Sequence, residues 1–322
     1  MKTDTKSKVS AIISKSGSNL SLIIALVIMG AVFSVLSPHF LSTRNLLNIV
    51  MYTSITATMA FGITVAMILA AMDLSQYALA AVCSMTASLL LQNGCSAGVA
   101  ILVAVLMGAA LGAINGIIVS FFGVNAIIAT LGTQQIFRGC AYLVSDGKNI
   151  QIKNNFLINV GRGSIGPIPI VIIVMIAMYA ITSYVLKYTT FGRKIYAIGG
   201  NKTASYLSGI NIKAVQIGGF MYCGVAGAIG GMLLAGQIGV AMPTCGSGAE
   251  MDVIASVVLG GVSLSGGNGK VSGTLLGALL LQTISNGMTL LSVQSYWQMV
   301  IKGVVLIIAV LIDVMRSKKR KA

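Results

Sequence analysis

The chain has 322 residues, of which 56% are hydrophobic and 8% are charged, and its formal net charge is +15. A soluble domain carries about a quarter charged residues, so this composition excludes a water-soluble protein and predicts an all-α polytopic membrane protein. The apolar stretches are continuous and do not alternate with polar residues, which argues against a transmembrane β-barrel. The basic residues lie mainly in tails and loops, so we expect the lipid bilayer as a partner and no nucleic acid.

About ten transmembrane helices are predicted from the apolar segments in chain order. The first segment follows a basic N-terminus and is too long for the apolar part of a signal peptide. The eighth segment is short for a complete crossing. The ten segments lie at 19–38, 46–70, 75–92, 97–121, 124–145, 166–186, 213–236, 251–263, 270–289 and 294–313.

The distribution of Lys and Arg predicts the orientation of these segments in the membrane. With ten spans both termini lie on one side, and that side has most of the basic residues, including those of the 187–213 loop. We therefore expect both termini and this loop in the cytoplasm, and the 146–165 and 237–250 loops outside. The predicted organisation is a cytoplasmic tail at 1–18, a transmembrane domain at 19–313 and a basic cytoplasmic tail at 314–322.

Two sequence patterns indicate how the helices pack. Small residues repeat at four-residue spacing in the fourth and ninth segments, and this spacing lets helices approach closely in lipid. In addition, "MDLS" at 72–75 opens the third segment and "MDVI" at 251–254 opens the eighth, and on the predicted topology these two segments run in opposite directions. This echo raises the hypothesis of an inverted repeat. The helix-packing residues are Gly108, Gly112, Gly116, Gly273 and Gly277.

The sequence offers no constellation for catalysis. It has six acidic residues and a single histidine, His39, so neither a metal site nor a Ser-His-Asp triad is expected. Its five cysteines have no metal or redox spacing. The glycine-rich run 260–273 lacks the spacing of a phosphate-binding loop. We therefore predict no catalytic residue, no metal and no cofactor in this chain.

Among the charged residues at or inside predicted spans, Asp73 and Arg138 each have two interpretations. Asp73 directly precedes the third segment, where it would cap the following helix or contact a solute. Arg138 lies inside the fifth segment. An ionisable group at this depth is a candidate for function, although a long side chain also reaches the membrane surface from such a position.

The stretch "GGNKTASYLSGI" at 199–210 predicts a short helix in the 187–213 loop. Asn201 is a favourable N-cap, and Gly209 is a favourable residue to end the helix. A flexible hinge is expected at Gly199 and Gly200, just before the helix. Two helical turns carrying Tyr206 and Leu207 are not stable in isolation, so this helix must pack against something. It either lies on lipid headgroups or fits a cytoplasmic partner.

The stretch "GRKIYAIGGNKTASYLSGINI" at 192–212 resembles the cytoplasmic coupling loop of permease subunits of bacterial ABC importers. The match is to the branch that takes ribose, xylose, arabinose and allose, and it extends over about 20–313. The other matching stretches are "FLSTRNLLNI" at 40–49, "MDLS" at 72–75, "EMDVIASVVLGGVSLSGGNGKVSGTLLGALLL" at 250–281 and "QMVIKGVVLIIAVLID" at 298–313.

The resemblance implies a monosaccharide permease of the bacterial inner membrane with three protein partners. These are a cytoplasmic ABC ATPase subunit, which would carry ATP and Mg, a periplasmic sugar-binding protein, and a second permease subunit. The residues implied in the helix that couples to the ATPase are Asn201, Ala204, Ser205, Tyr206, Leu207, Ser208 and Gly209. The candidate pathway or gating residues are Asp73, Ser75, Tyr77, Arg138, Glu250 and Asp252.

The chain departs from the family at one motif, where the usual "DLSVGS" reads "DLSQYA" at 73–78. The change either alters selectivity or is silent. Three alternatives to a sugar permease stay open at this stage. They are a permease for a furanose-type signalling molecule, an ion-coupled secondary transporter, which the scarcity of intramembrane acids disfavours, and a membrane enzyme, which the missing catalytic constellation disfavours.

Overall fold

The computed structural model describes residues 19–153 and 155–321, and within them the chain is mainly helical. The predicted N-terminal tail at 1–18 lies outside the described residues, as do the side chains of the basic residues at 316–321. The described helices are α1 (Asn19–Leu36), α2 (Thr43–Ile68), α3 (Gln76–Gln92), α4 (Ala97–Phe121), α5 (Ala126–Val144), α6 (Asn155–Arg162), α7 (Ile170–Tyr188), α8 (Thr190–Gly200), α9 (Lys202–Leu207), α10 (Ile212–Ile238), α11 (Glu250–Leu259), α12 (Val271–Leu290) and α13 (Ser295–Lys321). The short strands are β1 (Ile150–Gln151), β2 (Ser164–Ile165), β3 (Ile168–Pro169) and β4 (Val240–Ala241).

The predicted all-α polytopic class is confirmed, and each of the ten predicted apolar segments coincides with a helix. Within the described residues, six helices are long and apolar enough to cross a membrane, namely α1, α2, α4, α7, α10 and α13. The other four segments correspond to α3, α5, α11 and α12. Among these, α11 has ten residues, a length of about 15 Å that covers half of a hydrocarbon core.

Helix α10 lies at the centre of the fold, and glycines bring it into backbone contact with α4. A Cβ atom added at Gly112 would lie 2.3 Å from the carbonyl oxygen of Phe220, and one at Gly108 would lie 2.6 Å from that of Gly224. A Cβ at Gly116 would likewise meet Ile217 of α10 at 2.6 Å. The four-residue spacing of these glycines therefore places all three in one helix–helix contact.

The same close approach joins α11 to α12. A Cβ atom at Gly273 would lie 2.0 Å from the carbonyl oxygen of Gly260, and one at Gly277 would lie 2.1 Å from that of Ser256. Only residues without a side chain allow two helix backbones to approach this closely.

The helices that begin at the two echoed motifs run in opposite directions. Helix α3 is parallel to α10, and α10 is antiparallel to α2. Helix α12 is antiparallel to both α2 and α11, so α11 is parallel to α2 and antiparallel to α3. The pairs of neighbouring residues that fix these directions are Gln76 with Cys223, Ala80 with Gly231, Met59 with Gly230, Leu69 with Gly219, Asn45 with Asn286, Thr64 with Thr274, Ser256 with Gly277 and Gly260 with Gly273.

The 146–165 and 237–250 loops meet at one end of the molecule and contain structure that the sequence reading missed. Strands β1 and β4 pair antiparallel, with Ile150 opposite Ala241. Helix α6 and the β2–β3 hairpin complete this end. The guanidinium of Arg162, in α6, donates to the carbonyl oxygens of Gln237 and Ile238 and so attaches α6 to the end of α10. The pairing places the two loops on the same face.

The cytoplasmic location of the termini and of α9 stays a prediction, which thiol labelling checks. The two half-buried cysteines, Cys95 and Cys140, are first replaced by serine, and the three buried ones are kept. Cysteines introduced at Lys148→Cys and Ser247→Cys should react with an impermeant reagent from outside, because both positions are exposed. The matched exposed position in α9, Thr203→Cys, should react only from the cytoplasm. The reverse pattern would overturn the orientation.

Candidate functional site

An irregular segment at 69–75, mostly buried, separates α2 from α3. Irregular backbone at membrane depth is tolerated where it is buried in protein or lines a cavity. Sequence analysis offered Asp73 as the N-cap of the following helix. The structure corrects this, since α3 begins at Gln76 and Ser75 occupies the cap position without a capping side-chain bond. Asp73 instead lies within the irregular segment, with 1% of its surface exposed.

The Asp73 carboxylate holds the irregular segment and links it to α4. Its Oδ1 accepts a bond from the backbone N–H of Ser75 at 2.9 Å and another from the Ser75 hydroxyl at 2.7 Å. The same hydroxyl accepts a bond at 2.7 Å from Nδ2 of Asn115, which is completely buried in α4. The Cys223 thiol of α10 faces the same carboxylate. Groups from three parts of the chain therefore converge on Asp73.

Gln76 connects the start of α3 to two other helices. Its side-chain Nε2 donates to the carbonyl oxygen of Met59 in α2 at 2.9 Å and to that of Cys223 in α10 at 3.2 Å. Two carbonyls can only accept, so the amide must present its NH2 group to them. The neighbouring Tyr77 is buried, and its ring lies against Gly246 in the 242–249 loop. Gln76 and Tyr77, the two residues that depart from the family motif, are thus buried at the centre of the fold.

Three oxygens of this cluster have no partner within the part of the chain that the structure describes, and the amide oxygens among them can only accept hydrogen bonds. The single proton of the Ser75 hydroxyl goes to Asp73, so Asn115 must present its NH2 group to Ser75 and turn its oxygen elsewhere. Among the described residues, Asp73 Oδ2, Gln76 Oε1 and Asn115 Oδ1 have no hydrogen-bond partner. We refer to Asp73, Ser75, Gln76, Asn115 and Cys223 as the acceptor cluster. The unpartnered amide oxygens of this cluster suit a group that donates hydrogen bonds, such as a hydroxyl.

A small cavity lies where α3 and α11 begin, beside the acceptor cluster. Its volume of about 10 Å³ gives room for one water molecule. Two oppositely directed helices thus present their N-terminal ends to one point inside the protein, an arrangement found at the binding sites of transporters built from repeats. The cavity is lined by Ile63, Asp73, Leu74, Gln76, Tyr77, Glu250 and Val253.

Arg138 fixes the 242–249 loop through its guanidinium. It donates to the carbonyl oxygens of Pro243 at 2.6 Å and Cys245 at 2.8 Å, and forms an ion pair with Glu250 at 3.4 Å. The Glu250 carboxylate also accepts from Gln134 at 3.2 Å and from the backbone of the loop. The side chains of Arg138 and Glu250 are 14% and 11% exposed. The guanidinium of Arg138 is therefore bound to protein groups, and through Glu250 it orients the start of α11.

The Asp252 carboxylate and the Cys245 thiol also lie at or near this loop, and contacts within the chain explain the state of each. Asp252 pairs with Lys302 of α13 at 2.7 Å, so its charge is compensated within the subunit. Burial raises the pKa of the Cys245 thiol to about 11, against the opposing effect of the Arg138 charge. This thiol is therefore protonated at neutral pH, where it behaves as a small packing group.

Helix α9 ends as the sequence predicts for a short capped helix. Asn201 Oδ1 accepts from the backbone N–H of Ala204 at 2.9 Å, and Gly209 adopts the left-handed conformation with φ of +78°. Ser205 is buried, whereas Tyr206 and Leu207 are 71% and 79% exposed. Ala204, Ser208 and Gly209 are exposed as well. The helix presents an apolar tip, and the adjacent glycines belong to the last turn of α8 rather than to a flexible hinge.

Sequence reasoning missed Asn115, Gln134 and the role of Cys223. The polar Asn115 within the apolar run of α4 was a signal that could have found it, because such a group needs a partner inside the membrane. Cys223 gave no such signal, since a buried cysteine in an apolar segment is ordinarily a packing residue. Its proximity to Asp73 depends on how α10 crosses α3.

Comparison with known proteins gives a family match and several relatives. Residues 45–310 match the family described as "Branched-chain amino acid transport system / permease component". The chain is 40% identical to the ribose import permease protein RbsC of Escherichia coli, with 90% of this chain and 92% of that protein covered. It is 36% identical to the D-allose transport system permease protein AlsC of the same organism, with 91% and 90% covered. It is 30% identical to the L-arabinose ABC transporter permease protein AraH of Azospirillum brasilense, with 97% and 91% covered. No solved structure matches the chain.

Proposed function

The chain belongs to the family of branched-chain amino acid transport system permease components, and on that premise we propose that it is the membrane permease subunit of an ABC importer for a monosaccharide. The relatives that support a sugar as the solute are named for ribose, allose and arabinose, and their similarity extends over nine-tenths of the chain. The chain is a transport subunit of the bacterial inner membrane. In the proposal, ATP and Mg²⁺ are bound and used by a separate ATPase chain.

The observation that carries this function is the exposed apolar tip of α9. Tyr206 and Leu207 project from a helix of six residues that is capped at both ends and lies between α8 and the long helix α10. The helix packs on α8 through its inner side, which includes the buried Ser205, so Tyr206 and Leu207 on its outer side are left uncovered. Two large apolar side chains side by side suit a groove on a protein partner. A cytoplasmic ATPase subunit with such a groove would receive the residues from Asn201 to Gly209.

The acceptor cluster supplies the proposed solute contact or gate. A sugar presents several hydroxyl groups, each of which donates a hydrogen bond, and the unpartnered amide oxygens of Gln76 and Asn115 accept such bonds. Asp73 and Ser75 would move with the irregular segment and Tyr77 with the start of α3, whereas Arg138 and Glu250 would hold the loop that covers them. A periplasmic sugar-binding protein would deliver the solute to the face formed by β1, β4 and α6. A second permease subunit would complete the pathway.

Replacing Leu207 by Asp should release the ATPase subunit without affecting membrane insertion. Burial of a leucine side chain contributes about 2 kcal/mol, so its loss should weaken docking by roughly thirtyfold. The chain is purified from its native membranes in mild detergent, and the ATPase that accompanies it is identified and quantified. The matched control is Leu207→Met, which keeps an apolar side chain of similar volume and should retain the partner.

Two results of the docking experiment would contradict the proposal. In the first, no ATPase accompanies the unmodified chain, and the purified chain still transports sugar in proteoliposomes. That result indicates an ion-coupled transporter. In the second, the Leu207→Asp variant retains the ATPase fully. The ATPase then docks elsewhere, and α9 lies on the membrane surface instead.

A further inference from the structure

Three backbone segments meet without intervening side chains where α8 ends. A Cβ atom added at Gly199 would lie 1.8 Å from the carbonyl oxygen of Ile68 and 2.4 Å from the backbone nitrogen of Gly267. Gly267 donates its own N–H to the same Ile68 carbonyl at 2.8 Å. We call Gly199, Ile68 and Gly267 the backbone joint. It unites the last turn of α8, the last residue of α2 and the 260–270 loop.

The joint is adjacent to the irregular segment that contains Asp73. Ile68 is the last residue of α2, and the carbonyls at a helix end have no partner within their own helix. Gly267 supplies that partner. Ala70, two residues further on, has a positive φ of +56° and lies against Gly266. The path of the chain as it leaves α2 towards Asp73 is therefore set by the loop and by α8.

Side-chain contacts fasten the 260–270 loop to the helices on both sides of it. The Tyr196 hydroxyl of α8 donates to the carbonyl oxygen of Gly269 at 2.8 Å. On the other side, the Asp313 carboxylate of α13 accepts from the backbone N–H of Leu264 at 3.2 Å and from the Ser263 hydroxyl at 3.4 Å. A displacement of α8 must therefore move the loop or break these bonds.

The joint is also connected directly to α9. A single residue with extended backbone, Asn201, separates α8 from α9, and the two helices pack on each other. Close-packed backbone has little free volume to absorb a displacement. Motion of α9 is therefore passed to Gly199 and from there to Ile68 and the segment that follows it.

We infer that the backbone joint is the mechanical link between the partner that binds α9 and the acceptor cluster, and that Gly199 is a positioning residue for transport. This inference rests on the proposed function. The joint requires glycine at 199 because any side chain would separate α8 from the end of α2. Gly200 faces open space, so the adjacent position lacks this requirement.

The test compares Gly199→Ala with the matched control Gly200→Ala in the complete importer, reconstituted with its ATPase and binding protein. Three quantities are measured, namely the amount of ATPase bound, its hydrolysis rate, and the sugar transported per ATP. In the Gly199→Ala variant, the bound ATPase should be unchanged and the sugar transported per ATP should fall roughly tenfold, a size typical of coupling between sites. The Gly200→Ala variant should behave like the unmodified chain.

Normal transport per ATP in the Gly199→Ala variant overturns the inference, and so does loss of the ATPase from it, because the residue would then act on docking. If that variant does not fold, Tyr196→Phe replaces it. This variant removes only the bond to Gly269, and it should lower transport per ATP while the melting temperature and the bound ATPase are retained. Unchanged transport per ATP in Tyr196→Phe would overturn the inference. Failure of the unmodified chain to bind any ATPase would instead contradict the proposed function.

Discussion

Replacing Arg138 by methionine should lower the free energy of unfolding by about 3 kcal/mol and abolish transport. The substitution leaves the mostly buried Glu250 carboxylate without its cation and removes the donor from the carbonyl oxygens of Pro243 and Cys245. The loss lies at the low end of the range for broken buried pairs because both charged side chains keep a small exposed fraction. The loop that covers Tyr77 and the start of α11 should then lose its defined position.

Reversible unfolding in mixed detergent measures the stability change, and uptake into proteoliposomes measures transport. Arg138→Lys serves as a control because it keeps the charge but loses the planar fork, so it should fall between methionine and arginine. In the double variant Arg138→Met with Glu250→Gln, the buried charge is also removed, and part of the stability should return. A single Arg138→Met variant as stable and active as the unmodified chain would show that the ion pair does not hold the loop.

Replacing Asp73 by alanine should reduce uptake at least about tenfold while the ATPase remains bound. The change leaves the backbone N–H and the hydroxyl of Ser75 without their acceptor in a buried site, and each such loss costs about 1–3 kcal/mol. The irregular segment should then leave its present conformation. The measurement is sugar uptake by the complete importer, together with the quantity of ATPase that co-purifies.

One variant distinguishes the hydrogen bonds of Asp73 from its charge, and a second variant is a control at the surface. Asp73→Asn keeps an acceptor oxygen for Ser75 and should retain more uptake than alanine. Asp146→Asn is the surface control, because the Asp146 side chain is 94% exposed and its carboxylate pairs with the exposed Lys148 at 3.6 Å. That substitution should have no effect, since exposed ion pairs contribute little. Normal uptake by the Asp73→Ala variant would show that transport does not depend on the acceptor cluster.

Much of the fold follows from local sequence, and the structure confirms it. A continuous apolar segment must form a helix in lipid because the backbone groups have no other partners there, so all ten segments could be located. The ends of α9 were also predictable, because Asn201 and Gly209 act on backbone groups within three residues of themselves. The resemblance to sugar permeases, which rests on whole motifs, is confirmed by the relatives. The predicted domain bounds and the roles of the site residues remain to be tested.

Only the tertiary structure decided which polar groups meet. Arg138 and Glu250 are 112 residues apart, and their pairing depends on where α5 ends relative to the 242–249 loop. Of the two interpretations of Asp73, the helix cap is wrong, because capping is a local interaction whereas its surroundings include Asn115 and Cys223 from two other helices. Gly199 was predicted to be a hinge because glycine is flexible in an isolated chain. In the folded protein it is fixed, because the absence of a side chain lets the backbones of α8 and α2 come into contact.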